Sequence, residues 1–104
     1  MLAFDRTEEF KRWLKALDRM PRTKITETIL LYEEADSLPK TCSLLKGTGG
    51  VYELRFDTGP GYRVYLCRSG KLTYLLLNGG DKDTQIDDKE QARKIKKHYL
   101  GSKP

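Results

Sequence analysis

The chain has 104 residues, of which 38% are hydrophobic and 34% charged, and this balance fits one folded domain over residues 1–104. Its net charge is +5, and the whole excess lies in residues 46–104, which hold 12 Lys and Arg against 7 Asp and Glu. Such a one-sided excess favours nucleic acid as a partner, the alternative being a solvated basic surface. The longest apolar run, Leu75-Leu76-Leu77, is too short to cross a bilayer, and the acidic N-terminus is unlike an export signal, so we expect a cytoplasmic protein without membrane contact.

The N-terminal third predicts a short strand followed by two helices. Residues 2–4 are apolar and predict the strand, after which Asp5 or Thr7 offers a helix cap. The next apolar side chains recur at the spacing of one helical face: Phe10, Trp13, Leu14 and Leu17. Residues 18–21 contain a proline and predict a break, and a second helix is expected at residues 22–35. Because the connection is short, we expect an antiparallel helical hairpin.

The middle of the chain predicts a loop and then an antiparallel meander. Residues 36–50 are rich in serine, proline and glycine and predict the loop. From residue 51 the apolar side chains alternate with charged ones, and short glycine-containing turns separate three strands at residues 51–57, 62–68 and 72–78. The charged side of the first strand is expected to face water or a ligand. The third strand is apolar on both faces, which predicts a central position in the sheet.

The C-terminal segment predicts a third helix. We expect Gly79 and Gly80 to form a turn that leaves the sheet and the helix to span residues 87–100. Acids in its first turn and lysines in its last turn follow the order that the helix dipole favours. Its apolar face is narrow, and residues 101–104 are expected to fray.

Charged and aromatic side chains of the meander predict a site. Alternation places Glu53 and Arg55 on the same side of one strand, and Arg63 and Tyr65 on the same side of the next. If the sheet curls, these groups converge with residues of the adjoining loops; the expected set is Lys46, Glu53, Arg55, Tyr62, Arg63, Tyr65 and Lys82. Cations for phosphate beside rings for bases are typical of a single-stranded RNA site, although a solvated charged face gives the same alternation.

Other kinds of chemistry find little support in the composition. His98 is the only histidine, and we expect it on the surface of the last helix. Cys42 and Cys67 are not in a metal-binding or redox spacing, and we expect both to be free thiols, with Cys67 in the core. We therefore expect no metal site and no cofactor.

Three segments, in this order and spacing, carry a family resemblance: Glu-Leu-Arg at residues 53–55, Gly-Pro-Gly-Tyr-Arg-Val-Tyr at 59–65 and Gly-Gly-Asp-Lys-Asp-Thr-Gln at 79–85. The chain resembles the RelE/ParE toxin superfamily, and more narrowly its addiction-module killer branch near the HigB toxins. The resemblance implies an α/β (α+β) RelE-like fold, in which an N-terminal helix hairpin packs on a curved, mostly antiparallel sheet with a C-terminal helix.

The resemblance also implies a function. It indicates the toxin of a type II toxin–antitoxin pair, held inactive by an antitoxin that is a small helix-turn-helix protein and that alone contacts operator DNA. RelE-like members are endoribonucleases that cut mRNA on the ribosome, whereas ParE-like members block DNA gyrase without catalysis. A degenerate toxin kept for antitoxin binding or repression is a third possibility.

Site roles follow from the same resemblance. Arg63, Arg55 and Lys82 match the basic residues that orient the scissile phosphate. Tyr65, Tyr62 or Glu53 is left to handle protons, and Glu53 is equally well placed to pair with Arg55 or Arg63. We expect further RNA contacts from Lys46, Tyr62 and Gln85. The chain departs from the best-known RelE toxins in carrying Glu53 in place of a lysine and in lacking a matching tyrosine at residues 86–88.

Overall fold

The computed structural model describes residues 2–35 and 37–101 and contains five strands and three helices. Asp36, with which the predicted loop begins, and residues 102–104, predicted to fray, lie outside the described residues, as does Met1. In chain order the elements are β1 (Ala3–Arg6), α1 (Glu8–Ala16), α2 (Arg19–Glu33), β2 (Cys42–Leu44), β3 (Val51–Arg55), β4 (Arg63–Arg68), β5 (Thr73–Gly80) and α3 (Gln85–Leu100).

The strands form one sheet in the order β1-β5-β4-β3-β2. Strand β1 pairs parallel to β5, and every other pair is antiparallel. The predicted meander and the central position of β5 are both confirmed. Strand β5 is buried along nearly its whole length because helices cover both faces of the sheet.

Helices α1 and α2 cover the first face of the sheet. Thr7 caps α1: its hydroxyl oxygen accepts from the Phe10 backbone N–H at 3.0 Å and donates to the carbonyl of Leu77 in β5 at 2.5 Å. Phe10, Ile25 and Ile29 are buried against the sheet. The cap therefore joins the helix to the central strand as well as starting it, and the predicted helical pair on the sheet is confirmed.

Helix α3 covers the second face. Ala92 and Ile95 pack over a separate cluster of buried side chains: Val51, Tyr65, Cys67, Leu75 and Leu77. The Tyr99 hydroxyl accepts from the Glu8 backbone N–H at 3.1 Å and donates to the Glu9 carboxylate at 3.0 Å. The narrow apolar face of α3 is thus enough to hold the helix on the sheet, because the hydrogen bonds of Tyr99 also attach its C-terminal end to α1.

Two predicted boundaries are wrong at helix starts. Helix α2 begins at Arg19 rather than at residue 22, because Pro21 occupies its third position, where the backbone N–H has no partner within the helix. Helix α3 begins at Gln85 rather than at residue 87. In the N-terminal part, β1 begins one residue after the predicted strand and ends two residues beyond it, at Arg6.

Two predictions about the sheet are also wrong. Strand β2 lies inside the segment predicted to be a loop; it has only three residues, sits at the sheet edge and leaves Ser43 and Leu44 exposed, so it carries no apolar alternation. Gly79 and Gly80 are the last residues of β5, not a turn. A β-carbon at Gly79 would overlap the Trp13 ring, and one at Gly80 would overlap the Asp88 carboxylate, so glycine is required by packing.

No helix in the described residues is long and apolar enough to cross a membrane.

Candidate active site

The site is built on directly opposed residues of β3 and β4. Glu53 lies opposite Tyr65, and Arg55 lies opposite Arg63. Directly opposed residues in an antiparallel pair project from the same face of the sheet, here the face that α3 covers. A β-bulge interrupts the pairing of β4 with β5 between Tyr65 and Leu66, immediately beside these residues.

The Glu53 carboxylate is the centre of a buried cluster. Its Oε2 atom accepts from the Tyr65 hydroxyl at 3.2 Å and from the Gln85 side-chain amide at 2.8 Å, and it lies 3.5 Å from Arg63 Nε. Glu53 is only 4% exposed. This face of β3 was expected to meet water or a ligand, but the Glu53 side chain is buried there because the first turn of α3 brings Gln85 over it. Of the two possible ion-pair partners, Glu53 takes Arg63.

Arg63 is held on two sides. Its Nη1 donates to the Gly61 carbonyl at 2.7 Å, and its side chain is 14% exposed. Gly61 has a φ of +76°, and a β-carbon there would lie 3.2 Å from Arg63 Nη1 and 3.4 Å from Lys82 Cβ. The glycine thus lets both cations approach the turn closely, and the Lys82 backbone N–H donates to the Pro60 carbonyl at 3.3 Å.

Three of the expected cations therefore lie at one end of the meander. Arg55 is exposed beside the partly buried Arg63, and the exposed Lys82 lies across Gly61. The carboxylate of Glu53 lies below them. This end presents three cations close to the buried Glu53 carboxylate, an arrangement suited to a phosphate group.

Two expected members of the site lie elsewhere, so the predicted convergence is wrong for them. Tyr62 packs edge-to-face on Trp13, with ring centroids 6.3 Å apart, among the side chains of the α1–α2 face. Lys46 lies in the β2–β3 turn, at the Val51 end of β3. That end is about 13 Å from Arg55 at the usual rise of a strand.

Sequence reasoning missed a polar cluster at the start of α3. The Thr84 hydroxyl donates to the Asp88 carboxylate, which lies directly over Gly80. The Asn78 side-chain amide donates to the Asp88 carbonyl at 3.1 Å, while Asn78 Oδ1 is buried without a hydrogen-bond partner in the described chain. The paired glycines could have indicated this cluster, since a strand that ends in two glycines leaves room for the side chains of another element to pack directly on its backbone.

Burial perturbs three nearby protonation equilibria. The pKa of Tyr65 lies well above its usual value, first through burial and then through the negative charge of Glu53, so its hydroxyl stays protonated. Burial also raises the pKa of Asp88, an effect that the Thr84 hydrogen bond opposes. Burial raises the pKa of Cys67 to about 11, which leaves a neutral thiol in the core, as expected for that residue.

His98 is exposed on α3, in agreement with the sequence-based expectation. Among the described residues, no group of three or more His, Cys, Asp or Glu side chains is placed to hold a metal ion.

The architecture is that of a RelE-like fold. The free structure of a doubly substituted variant of the Escherichia coli toxin RelE has a TM-score of 0.64 at 14% identity, over 85% of this chain and 92% of that one. The structure of the intact Escherichia coli RelBE toxin–antitoxin complex contains a chain that matches with a TM-score of 0.62 at 16% identity. This match covers 78% of the present chain and 96% of the other one.

A family model for phage-derived Gp49-like proteins matches residues 12–100, and the chain belongs to that family. An uncharacterized Haemophilus influenzae protein is 52% identical over 44 residues, a match that takes in 42% of this chain and 44% of that protein. The chain thus matches less than half the length of this relative. The sequence resemblance to the RelE/ParE superfamily is confirmed in the fold.

Proposed function

We propose that this chain is the toxin of a type II toxin–antitoxin pair and that it cuts messenger RNA. The observation that carries the proposal is the packing of Arg63 and Lys82 around Gly61, with Arg55 beside them at one end of the meander. Three cations over a buried carboxylate fit a phosphodiester better than they fit a metal ion or a neutral substrate. The RelE-like fold is in agreement with this activity.

The proposed chemistry is an internal transesterification. The ribose 2′-oxygen attacks the adjacent phosphorus, the bond to the 5′-oxygen breaks, and the products are a cyclic phosphate and a 5′-hydroxyl. A base takes the 2′-hydroxyl proton, and an acid returns one to the leaving oxygen. Arg63 is the main stabiliser of the charge that builds on the phosphate oxygens, with Arg55 and Lys82 in support.

Glu53 acts on this site through Arg63. It is buried, and its Oε2 atom has contacts with Tyr65, Gln85 and Arg63. The carboxylate therefore fixes the guanidinium in the direction of the phosphate, and Tyr65 and Gln85 fix the carboxylate. Tyr65 is a positioning residue in this proposal because its raised pKa makes it a poor proton donor and a poor base.

The reaction as proposed needs no metal ion. The groups that converge at the surface are cations, which repel a divalent metal, and the charge stabilisation that a metal would provide comes from the guanidinium groups. Cleavage of mRNA should therefore survive EDTA, provided that the integrity of the ribosomes is controlled for. Activity that EDTA abolishes and a divalent ion restores would contradict this mechanism.

The proposed partners are a cognate antitoxin, a small helix-turn-helix protein that alone contacts operator DNA, and messenger RNA on the ribosome, which sets the site of action in the cytoplasm. Expression of the chain alone should arrest growth, and co-expression with a small protein encoded beside it should restore growth. Healthy growth at a high level of folded protein would contradict the toxin proposal.

The order in which synthesis stops distinguishes RNA cleavage from gyrase inhibition. After induction, incorporation of labelled amino acids should fall before incorporation of labelled thymidine. If DNA synthesis falls first while messenger RNA stays intact, the chain is a gyrase inhibitor and the proposal of RNA cleavage is wrong.

A further inference from the structure

A second basic feature lies at the other end of α3 from the candidate active site. It is a groove of about 370 Å³ between the β2–β3 turn and the C-terminal half of the helix, called here the α3 groove. Thr48 and Gly49 form one wall. The other wall carries one acid, Glu90, together with Gly101 and four cations: Arg93, Lys94, Lys96 and Lys97.

The cations of the α3 groove are dense and mostly without acidic partners. Residues 93–97 contain four cations and no acid. Arg93 forms an exposed ion pair with Glu90 at 3.1 Å, whereas no carboxylate in the described part of the chain lies within 4 Å of the charged nitrogens of Lys94, Lys96 and Lys97. Most of the positive charge is thus available to a ligand.

The helix dipole explains only part of this charge. Cations stabilise the C-terminal end of a helix, but the effect falls off within the last turn. Lys97 lies in that turn, whereas Arg93 and Lys94 precede it and still line the same side of the helix. Lys97 follows Arg93 by four residues and Lys94 by three, and these are the spacings of neighbours on one helical face, about 5–6 Å apart.

The lining of the α3 groove points to a phosphate backbone rather than to a peptide. A bound peptide segment needs apolar or aromatic anchors buried in pockets, and the groove is lined by threonine, glycine and charged side chains alone. A chain of phosphates needs only cations at short intervals and a surface that it can approach closely. The left-handed glycine turn, with Gly49 at a φ of +72° and open space at its β-carbon position, provides such a surface.

The groove and the candidate active site lie along the same side of α3. Gln85 contacts Glu53 of β3, and Lys96 lies against Gly50, just before β3 begins. At the helical rise, Gln85 and Lys94 are about 14 Å apart along the axis, which is about four nucleotides of a stacked strand.

We propose that the α3 groove binds the phosphodiester backbone of RNA at a position several nucleotides from the reacting phosphate. This inference deepens the proposed function and rests on it for the identity of the reacting phosphate. The RNA is either the single strand that is cut or a neighbouring duplex, and both present the same chemistry to the lysines.

The test is the salt dependence of binding to RNA that cannot be cut. The probes are a uridine oligonucleotide with 2′-O-methyl riboses, which lacks the attacking hydroxyl, and a duplex with the same modification. The variant Lys94→Gln/Lys97→Gln should bind the single strand more weakly at every ionic strength, and the slope of log K against log salt should fall by about 1.4, since each phosphate contact contributes about 0.7. The matched control is Lys15→Gln/Lys24→Gln, which removes the same charge from exposed helical positions on α1 and α2.

Loss of affinity for either probe supports the proposal. Weaker binding of the single strand indicates that the groove holds the message, and weaker binding of the duplex indicates that it holds a structured RNA. Affinity and slope equal to those of the control for both probes would overturn it. A third arm uses a glutamate-rich peptide: if the substitutions weaken peptide binding and leave RNA binding unchanged, the groove belongs to an acidic protein and the proposal is wrong.

The binding measurement is independent of cleavage. If wild-type protein cuts mRNA while the groove variant binds the probes as the control does, only the groove proposal fails. If the groove variant binds more weakly but the wild-type protein cuts no message, the proposed function fails and backbone binding by the groove stands.

Discussion

Glu53 and Tyr65 face each other across β3 and β4, and the Tyr65 hydroxyl donates to Glu53 Oε2 at 3.2 Å beneath the first turn of α3. Both side chains are buried. The same carboxylate oxygen lies 3.5 Å from Arg63 Nε. In the described part of the chain, hydrogen bonds and ion pairs connect the Tyr65 hydroxyl to Arg63 by way of this carboxylate. The effect of the tyrosine on stability can therefore be separated from its effect on catalysis.

Tyr65→Phe should destabilise the fold and leave most of the activity. The change keeps the ring and removes a hydrogen bond to a charged acceptor, a loss of about 2 kcal/mol in the free energy of unfolding. Cleavage should fall by less than about tenfold, whereas loss of a general acid or base lowers the rate by about 100-fold or more. Urea unfolding and a cleavage assay give the two numbers, with Tyr62→Phe as the control on the other face. A well-folded Tyr65→Phe protein without activity would make Tyr65 a catalytic residue.

Asp88→Asn should stabilise the protein at neutral pH. Burial raises the Asp88 pKa, and the nearby Asp81 and Asp87 carboxylates raise it further, so the folded protein holds this proton more tightly than the unfolded chain does. Stability from Asp88 is therefore present at low pH and is lost as pH rises through the raised pKa. Asparagine stays neutral and still accepts from Thr84.

Melting curves of the wild-type protein and Asp88→Asn between pH 7 and pH 4 test this effect. The variant should melt at a higher temperature at pH 7, and the difference should shrink as pH falls and Asp88 takes up its proton. Asp83→Asn, an exposed change in the turn before α3, serves as the control. A difference in melting temperature that grows toward low pH would contradict the raised pKa of Asp88.

Gly79→Ala should destabilise the fold by about 1–3 kcal/mol, because the added β-carbon overlaps the Trp13 ring and forces α1 away from β5. Gly70→Ala is the matched control, since a β-carbon there meets only Thr73 at an ordinary 3.4 Å and the backbone conformation is not left-handed. Denaturant unfolding of both variants measures the difference. Equal stabilities would mean that Trp13 moves aside without cost.

The sequence predicts the fold well where periodicity is strong. Phe10 and Ile25 lie on the faces that the helical spacing indicates, and the alternation in β3 and β4 gives the correct partners for the meander. Strand β2 could not be predicted because an exposed three-residue edge strand has no periodic signal. The strand ending at Gly80 was missed because glycine usually interrupts strands. The packing that requires glycine here comes from two other elements, Trp13 of α1 at Gly79 and Asp88 of α3 at Gly80.

The site is predictable only in part, because some of its contacts depend on elements that are not neighbours in the sequence. Alternation correctly puts Arg55, Arg63 and Glu53 on one face, since that depends on β3 and β4 alone. The burial of Glu53 depends on where Gln85 of α3 lies. The distance between Lys46 and the cations of the site depends on which end of β3 the β2–β3 turn adjoins. Both are consequences of tertiary packing that local spacing does not contain.

Substitution of Arg63 tests whether this residue is the main group that stabilises the reacting phosphate. Because Arg63 pairs with a buried carboxylate, it is not the freely exposed cation that the alternation predicted, and Arg63→Ala is expected to lower stability as well as activity. Arg63→Lys keeps a positive charge near Glu53 but loses the planar fork that binds a phosphate through two hydrogen bonds. His98→Ala, on the exposed surface of α3, is the control.

The measurement is the rate of mRNA cleavage in a reconstituted translation reaction, with the folded fraction of each variant fixed by urea unfolding. We expect a fall of about 100-fold or more for Arg63→Ala and a clear loss for Arg63→Lys, with His98→Ala unchanged. If a folded Arg63→Ala protein cuts mRNA at the wild-type rate, Arg63 does not stabilise the reacting phosphate and the proposed site is wrong.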